Sequence, residues 1–379
     1  MRTGRLALRK KLWPAVVLIS ACALAAACGS GSGSGGGTGT DASASGSCSS
    51  YQTVTYGAIG GLTDAGLIIG QDENIFRKYC INIVLQRVSS ASALTTALAS
   101  NAIQVGGIAE SPGMFTSIKQ GITVSIVADK DSSTSTMSFN QVIVQKKYVR
   151  STVKATLEAL KGTTIALPST TDNTLFQVEK FLALYGLNIS MYHVSIVPIP
   201  DTASALETNQ AQWTQINEPS ATEMVVNGCC QDLANIDAFM PAQEPPTLIP
   251  LVYGPYLLEK ANQATAQNFM DAFLAAARVY DNAVLKGDGV STVEGLLAKS
   301  AWVNEPLSIV KQMDYGYIDP NGLSLAGSQQ NTIAWLTELE NYYISAKLMP
   351  SSDYVNPASM LDLTFAKQAV KTLGAYPEG

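Results

Sequence analysis

Leu160-Lys161-Gly162-Thr163-Thr164-Ile165-Ala166-Leu167-Pro168-Ser169-Thr170-Thr171-Asp172-Asn173-Thr174-Leu175-Phe176-Gln177-Val178-Glu179-Lys180-Phe181-Leu182 changes its grammar twice. Residues 163–167 are β-branched and aliphatic, bounded by Gly162 and Pro168, and read as a short strand. Leu175, Val178, Phe181 and Leu182 recur at spacings of three and four and read as a helix. Between them stand Ser169, Thr170, Thr171, Asp172, Asn173 and Thr174, all small and polar. A strand that turns through hydroxyls into a helix gathers free backbone N–H groups and the positive end of the helix dipole at one spot. That spot suits an anionic or hydrogen-bonding small molecule. Capping and turn formation alone account for the same residues, so the weight falls on what surrounds the stretch.

About a hundred residues earlier the pattern recurs, with a strand at 53–56, a glycine-rich loop at 57–64 and an amphipathic helix at 65–76. Two strand–polar loop–helix openings, each followed by another strand, imply two α/β units. In open α/β sheets ligands sit at the carboxyl ends of strands, so two lobes with facing loops make a cleft. At 379 residues the chain can build more than one core. With 46% hydrophobic and 14% charged residues it has an ordinary globular composition.

The N-terminus reads as an address rather than as fold. Arg2, Arg5, Arg9, Lys10 and Lys11 precede an apolar stretch at 12–27 that ends in small residues, which describes an export signal at 1–27. Ala25-Ala26-Ala27-Cys28 resembles a bacterial lipobox and points to Cys28 as the lipidated residue. Ile19-Ser20-Ala21-Cys22 is the competing site, but the Gly/Ser-rich tether begins directly after Cys28. A tether over 28–50 spaces a domain from a membrane. Loss of 1–27 removes five of the 24 basic residues and none of the 30 acidic ones, leaving a formal charge of −11. So acidic a domain is a poor nucleic-acid binder.

Four cysteines remain outside the cell, and four allow three pairings. Cys48 precedes the first strand and Cys80 the second (81–85), and neighbouring strands favour Cys48–Cys80. Cys229 and Cys230 then form a vicinal ring or stay free, and no metal-ligand spacing is present. Further strands are expected at 103–108, 124–128, 141–145, 194–198, 212–216 and 248–253, with helices between them. The last third is mostly helical, its stripes Phe269, Phe273, Ala277, Tyr280 and Ile333, Leu336, Leu339, Tyr343 serving as core. Domains follow as 51–139 for one lobe, 140–248 for the second, and 249–379 returning to the first.

The order of parts resembles the substrate-binding lipoproteins of ABC importers for nitrate, sulfonates, taurine and thiamine-pyrimidine precursors. The resemblance covers roughly 53–373. It rests on Ala65-Gly66-Leu67 through Ile75-Phe76-Arg77-Lys78-Tyr79, on 94–108 with Ser111-Pro112, on Leu160-Lys161-Gly162 with its Ser/Thr loop, and on Glu218-Pro219. Asn74 and Cys80 depart from the family in standing where glycine is usual, and residues 212–215 replace a common Gly-x-x-Asp-Ala. The resemblance implies a two-lobed, type II periplasmic-binding-protein-like fold. It also implies a cleft closing on two chain crossings, with transport by a separate permease and ATPase.

The expected ligand-binding residues are Thr63, Asp64, Ser90, Glu110, Ser111, Asn140, 169–174, Glu218 and Tyr253, with Gly60, Ser92, Ser138 and Ser220 beside them. They include no arginine, lysine or histidine, whereas a cleft for a bare anion usually adds a cation to its N–H donors. Asp64, Glu110 and Glu218 contribute carboxylates instead. The expected ligand therefore carries N–H donors or an amine, beside an anionic group held at 169–174, as in an aminosulfonate or aminopyrimidine; nitrate does not fit. No cofactor is called for. His193 is the single histidine, and no Gly-x-Ser-x-Gly elbow, HExxH or Gly-x-Gly-x-x-Gly is present, which argues against an enzyme. A lipoprotein that senses the ligand for a membrane receptor is the alternative to an importer component, and a neighbouring permease and ATPase gene distinguishes the two.

Overall fold

The computed structural model describes residues 48–377 apart from 59, 108, 242, 243, 324 and 325. The export signal, Cys28 and most of the tether lie outside the described residues.

Two five-stranded sheets carry the fold. The first contains β1 (Gln52–Ala58), β2 (Ile81–Arg87), β3 (Val105–Gly107) and β4 (Ser125–Ser132). The second contains β5 (Asn140–Gln145), β6 (Thr164–Leu167), β7 (His193–Ile196), β8 (Trp213–Asn217) and β9 (Cys230–Asn235). The chain then returns to the first sheet as β10 (Thr247–Tyr253). Strand orders are β2-β1-β3-β10-β4 and β7-β6-β8-β5-β9. Each sheet thus has parallel strands linked by helices plus antiparallel strands where the chain crosses over. The crossings lie between β4 and β5 and between β9 and β10.

A strand covered on both faces is buried along its whole length, and β10, antiparallel to both β3 and β4, is such a strand, every one of its residues being buried. In the first lobe the long helix Gln263–Lys286 lays Phe269, Phe273, Ala277 and Tyr280 against the core, with the Phe76 and Phe269 rings 5.2 Å apart. In the second lobe Val142, Leu167, Val178, Phe181 and Trp213 form a separate core. The helix Ala326–Ser345 buries Leu336, Leu339 and Tyr343 in a third cluster, which also takes in Phe139, Phe176 and Met240 from across the crossing.

Two departures concern the first α/β unit. The expected helix at 65–76 is two helices, Ala65–Asp72 and Ile75–Lys78, broken at Asn74. Asn74 (φ 56°) and Cys80 (φ 61°) both adopt the left-handed conformation that glycine takes most easily, so the replacements keep the turns at some backbone cost. Cys48 and Cys80 are joined by a disulfide, as are Cys229 and Cys230. β9 has no counterpart in the sequence expectations.

Candidate functional site

A cavity of about 520 Å³ opens where the strand-end loops of the two lobes face each other. From the first lobe come Thr63, Ser89, Ser90, Ser92, Gly107, Ala109 and Ser111, with Leu248 and Ile249 from the start of β10. From the second come Phe139, Asn140, Pro168, Ser169, Thr171, Asp172, Asn173, Thr174, Gln177, Pro198 to Pro200 and Gln215 to Asn217.

Helix N-termini supply much of this wall, and the local sequence shows why. Ser90 caps Ala91–Ala99, accepting from Ala93 N at 3.1 Å. Ser111 caps Pro112–Lys119, accepting from Met114 N at 3.4 Å, with Pro112 at the first helical position. Asp172 caps Asn173–Leu184, accepting from Thr174 N at 2.9 Å. Ile199–Glu207 begins at Pro198, a fourth start at the same space. Among the described residues Asp172 is the only formally charged one lining the cavity, and its Oδ1 accepts from its own helix's Thr174 N. The wall is otherwise hydroxyls, amides and apolar groups.

Of the expected residues, Thr63, Ser90, Ser111, Asn140, Ser169, Thr171, Asp172, Asn173 and Thr174 line this space, as does Ser92. Asp64, Glu110, Thr170, Glu218 and Tyr253 do not, nor do Gly60, Ser138 and Ser220. Asp64 lies behind Thr63, accepting from Lys130 Nζ at 2.7 Å, Tyr56 OH at 2.8 Å and Gly60 N at 3.1 Å. Glu110 is fully buried, and neither of its carboxylate oxygens has a hydrogen bond among the described residues. Burial pushes it up to about 8.

Glu218 is engaged outside the cavity at the first turn of Ser220–Val226, accepting from Thr222 N at 3.0 Å, Thr222 Oγ1 at 2.8 Å and Asp314 N at 3.3 Å. Burial raises it to about 7. Tyr253 fails for a topological reason. β10 is antiparallel to β3, with Tyr253 opposite Val105 at the start of β3, so the end of β10 that meets the cavity is Leu248 and Ile249. The Tyr253 hydroxyl donates instead to Ala266 O at 2.7 Å. With the three acids behind the walls, carboxylate recognition of an amine loses its structural basis.

Two features escaped the sequence. Lys130 is fully buried and donates to Thr63 Oγ1 at 3.3 Å and Gly107 O at 3.2 Å besides Asp64, so a cation does stand behind the cavity floor. Gln177 and Gln215, both buried, add amides to the second-lobe wall. His193 is exposed at the start of edge strand β7 and does not line the cavity. Among the described residues no cluster of His, Cys, Asp and Glu could hold a metal ion, and no helix is long and apolar enough to cross a membrane.

Two sheets crossed twice by the chain, with a polar cavity at their seam, define a two-lobed periplasmic-binding-protein-like fold. The chain belongs to the NMT1-like family, which it matches over residues 49–284. Its structure is similar to the alkanesulfonate-binding protein SsuA of Xanthomonas axonopodis pv. citri bound to MOPS, at 16% identity and a TM-score of 0.61, covering 83% of this chain and 99% of that one. For the periplasmic aliphatic sulphonate binding protein SsuA of Escherichia coli the figures are 14%, 0.61, 82% and 92%. For the periplasmic nitrate-binding protein NrtA of Synechocystis PCC 6803 they are 14%, 0.62, 86% and 89%. None of the curated proteins is similar enough in sequence to match.

Proposed function

We propose that the protein is an extracytoplasmic solute-binding lipoprotein. In this reading it captures a small organic molecule, sulfonate- or taurine-like or aminopyrimidine-like, between its lobes and delivers it to an ABC permease and ATPase, anchored to the outer face of the membrane through Cys28. The observation that carries the reading is the cavity of about 520 Å³ at the seam, walled by four helix N-termini, with Asp172 the one formally charged residue among the described lining residues. Such a wall offers N–H and O–H donors to the oxygens of an oxyanion without requiring a cationic side chain. Contacts from both lobes stabilise the closed state only when ligand bridges them. Membership of the NMT1-like family, and a fold shared with sulfonate- and nitrate-binding proteins, support the same conclusion. The protein binds and hands over its ligand unchanged.

Thermal unfolding against aminosulfonates, alkanesulfonates, nitrate and aminopyrimidines tests this. A specific ligand at a hundred times its Kd adds about 2.7 kcal/mol, or roughly 5–10 °C for a domain of this size. A shift that vanishes in Ala109→Trp, which fills the cavity, supports the reading. A panel that produces no shift, or one that survives that substitution, counts against it.

A further inference from the structure

Asp237, fully buried behind the second-lobe wall, determines which way the amides in front of it point. Gln177 Nε2 donates to Asp237 Oδ1 at 2.9 Å, while Ser138 Oγ at 2.8 Å and Asn140 Nδ2 at 3.5 Å donate to Oδ2. Burial pushes Asp237 up, while the donors of Ser138, Ser133, Asn140 and Gln177 around it favour the carboxylate; a carboxylate only accepts, so both amides turn their NH2 groups toward it. Turning either amide around would set its carbonyl oxygen against the carboxylate. Asn140 is thereby left with Oδ1 facing Gln215, and it accepts from Gln215 Nε2 at 3.0 Å. The direction passes on once more. Gln215 gives one of its two N–H donors to Asn140, and its Oε1 is buried with no hydrogen-bond partner among the described residues. Asn140, Gln177 and Gln215 all line the cavity.

An unpaired buried acceptor is costly unless something donates to it, and Gln215 borders the space where the ligand sits. We propose that Asp237 is a positioning residue that fixes the hydrogen-bond polarity of this wall, so that the cleft selects a ligand giving an N–H or O–H to Gln215 Oε1. The helix starts around the cavity, capped by Ser90 and Ser111 in the first lobe and lying at Asp172 and Pro198 in the second, have the opposite polarity. A ligand that suits the cavity carries acceptor oxygens toward those starts and a neutral or charged hydrogen-bond donor toward Gln215. The inference rests on reading the cleft as the ligand site. It also gives selection for a donor a new origin, an amide oxygen in place of the carboxylates expected from the sequence.

The test uses three sulfonates of matched length: taurine, 2-hydroxyethanesulfonate and propane-1-sulfonate, with binding followed by calorimetry. The wild-type protein is expected to bind either donor-bearing compound at least tenfold more tightly than propane-1-sulfonate, because a site built to hydrogen-bond a donor rejects the analogue that lacks it. Asp237→Asn, which allows the network to run in either direction, should bring that ratio close to one, and Gln215→Leu should invert it. Equal wild-type affinities, or a ratio unchanged in Asp237→Asn, overturn the proposal. If none of the three binds, the oxyanion reading of the cleft fails, and the wall is judged without ligand. Side-chain amide hydrogen exchange by NMR should then show protected NH2 groups on Asn140, Gln177 and Gln215, with Gln215 losing protection in Asp237→Asn although it does not touch that residue. Unchanged exchange at Gln215 overturns the proposal in that case too.

Discussion

Lys130 Nζ lies 2.7 Å from Asp64 Oδ1 with the two side chains 0% and 1% exposed, immediately behind the Thr63 that lines the cavity. Removing one partner of such a pair strands a charge in a low-dielectric site, which typically costs 3–5 kcal/mol. Lys130→Met and Asp64→Asn should each destabilise by about that amount. The double substitution should cost less than the sum of the two, because no unpaired charge remains. Chemical denaturation of the four proteins measures the difference, and strictly additive losses would show that the two groups are not coupled.

Several buried carboxyls are held above their ordinary range, and all of them push stability in one direction. Burial raises Glu110 to about 8, Asp129 to about 7 and Asp281 to about 9, like-charge neighbours adding to the rise in the two aspartates. A carboxyl raised on folding binds its proton more tightly in the folded chain. Between the unfolded value near 4 and its own folded value, the folded state therefore holds more protons, and stability falls as pH rises. The Tm should decline from about pH 5 to about pH 9. Glu110→Gln, neutral throughout, should flatten the part of that decline lying below about pH 8. A Tm that rises over the same interval contradicts these assignments.

Sequence and structure part company where the deciding contact is remote in the chain. β6, the polar run after it and the helix Asn173–Leu184 were legible because β-branched spacing, Pro168 and an Asp172 cap are all local signals. Ser90 and Ser111 were legible as caps for the same reason. The expected strand stops at residue 128, yet Asp129-Lys130-Asp131-Ser132 continues it as the buried end of β4. It is closed over by Tyr317, which exchanges backbone hydrogen bonds with Ser132, and by Asp319, whose N–H donates to Asp129 at 2.9 Å. Nothing within ten residues announces that cover. β9 is similar, since Cys-Gln-Asp-Leu-Ala-Asn has no alternating apolar face and becomes a strand by pairing with β5. Glu218 and Tyr253 were placed correctly in the chain order, but the turn of one side chain and the strand direction of the other depend on the assembled lobes.

The lobes also meet beside the cavity. Phe176, on the helix that Asp172 caps, packs against Trp335 (centroids 5.2 Å apart) and Tyr342 (5.0 Å) of the first-lobe helix, and Lys180 Nζ lies 2.7 Å from Glu338 Oε2. Phe176 and Trp335 are buried and Tyr342 half-buried, while the ion pair has side chains 37% and 55% exposed. Trp335→Ala should cost about 3–5 kcal/mol and weaken ligand binding by releasing one lobe from the other. Glu338→Gln should change stability by less than about 1 kcal/mol, an effect that salt largely masks. Comparable losses from the two substitutions would mean that the pair, and not the rings, holds this contact.

The two disulfides should respond very differently to reduction. Cys48–Cys80 spans 32 residues and ties the start of β1 to the left-handed turn that begins β2. Closing a loop of that size removes entropy from the unfolded chain equivalent to about 3–4 kcal/mol in the chain-entropy account. Cys229–Cys230 joins adjacent residues and closes almost no loop, so its loss leaves the unfolded ensemble nearly unchanged. Cys48→Ser with Cys80→Ser should therefore lower Tm by several degrees, whereas Cys229→Ser with Cys230→Ser should lower it by much less, Cys230 being the buried member whose repacking sets the remaining cost. Treating the wild-type protein with reductant should reproduce the first loss and not exceed it appreciably. A larger fall from the adjacent pair would show that its ring supports the β5–β9 edge enthalpically, a contribution that loop closure does not supply.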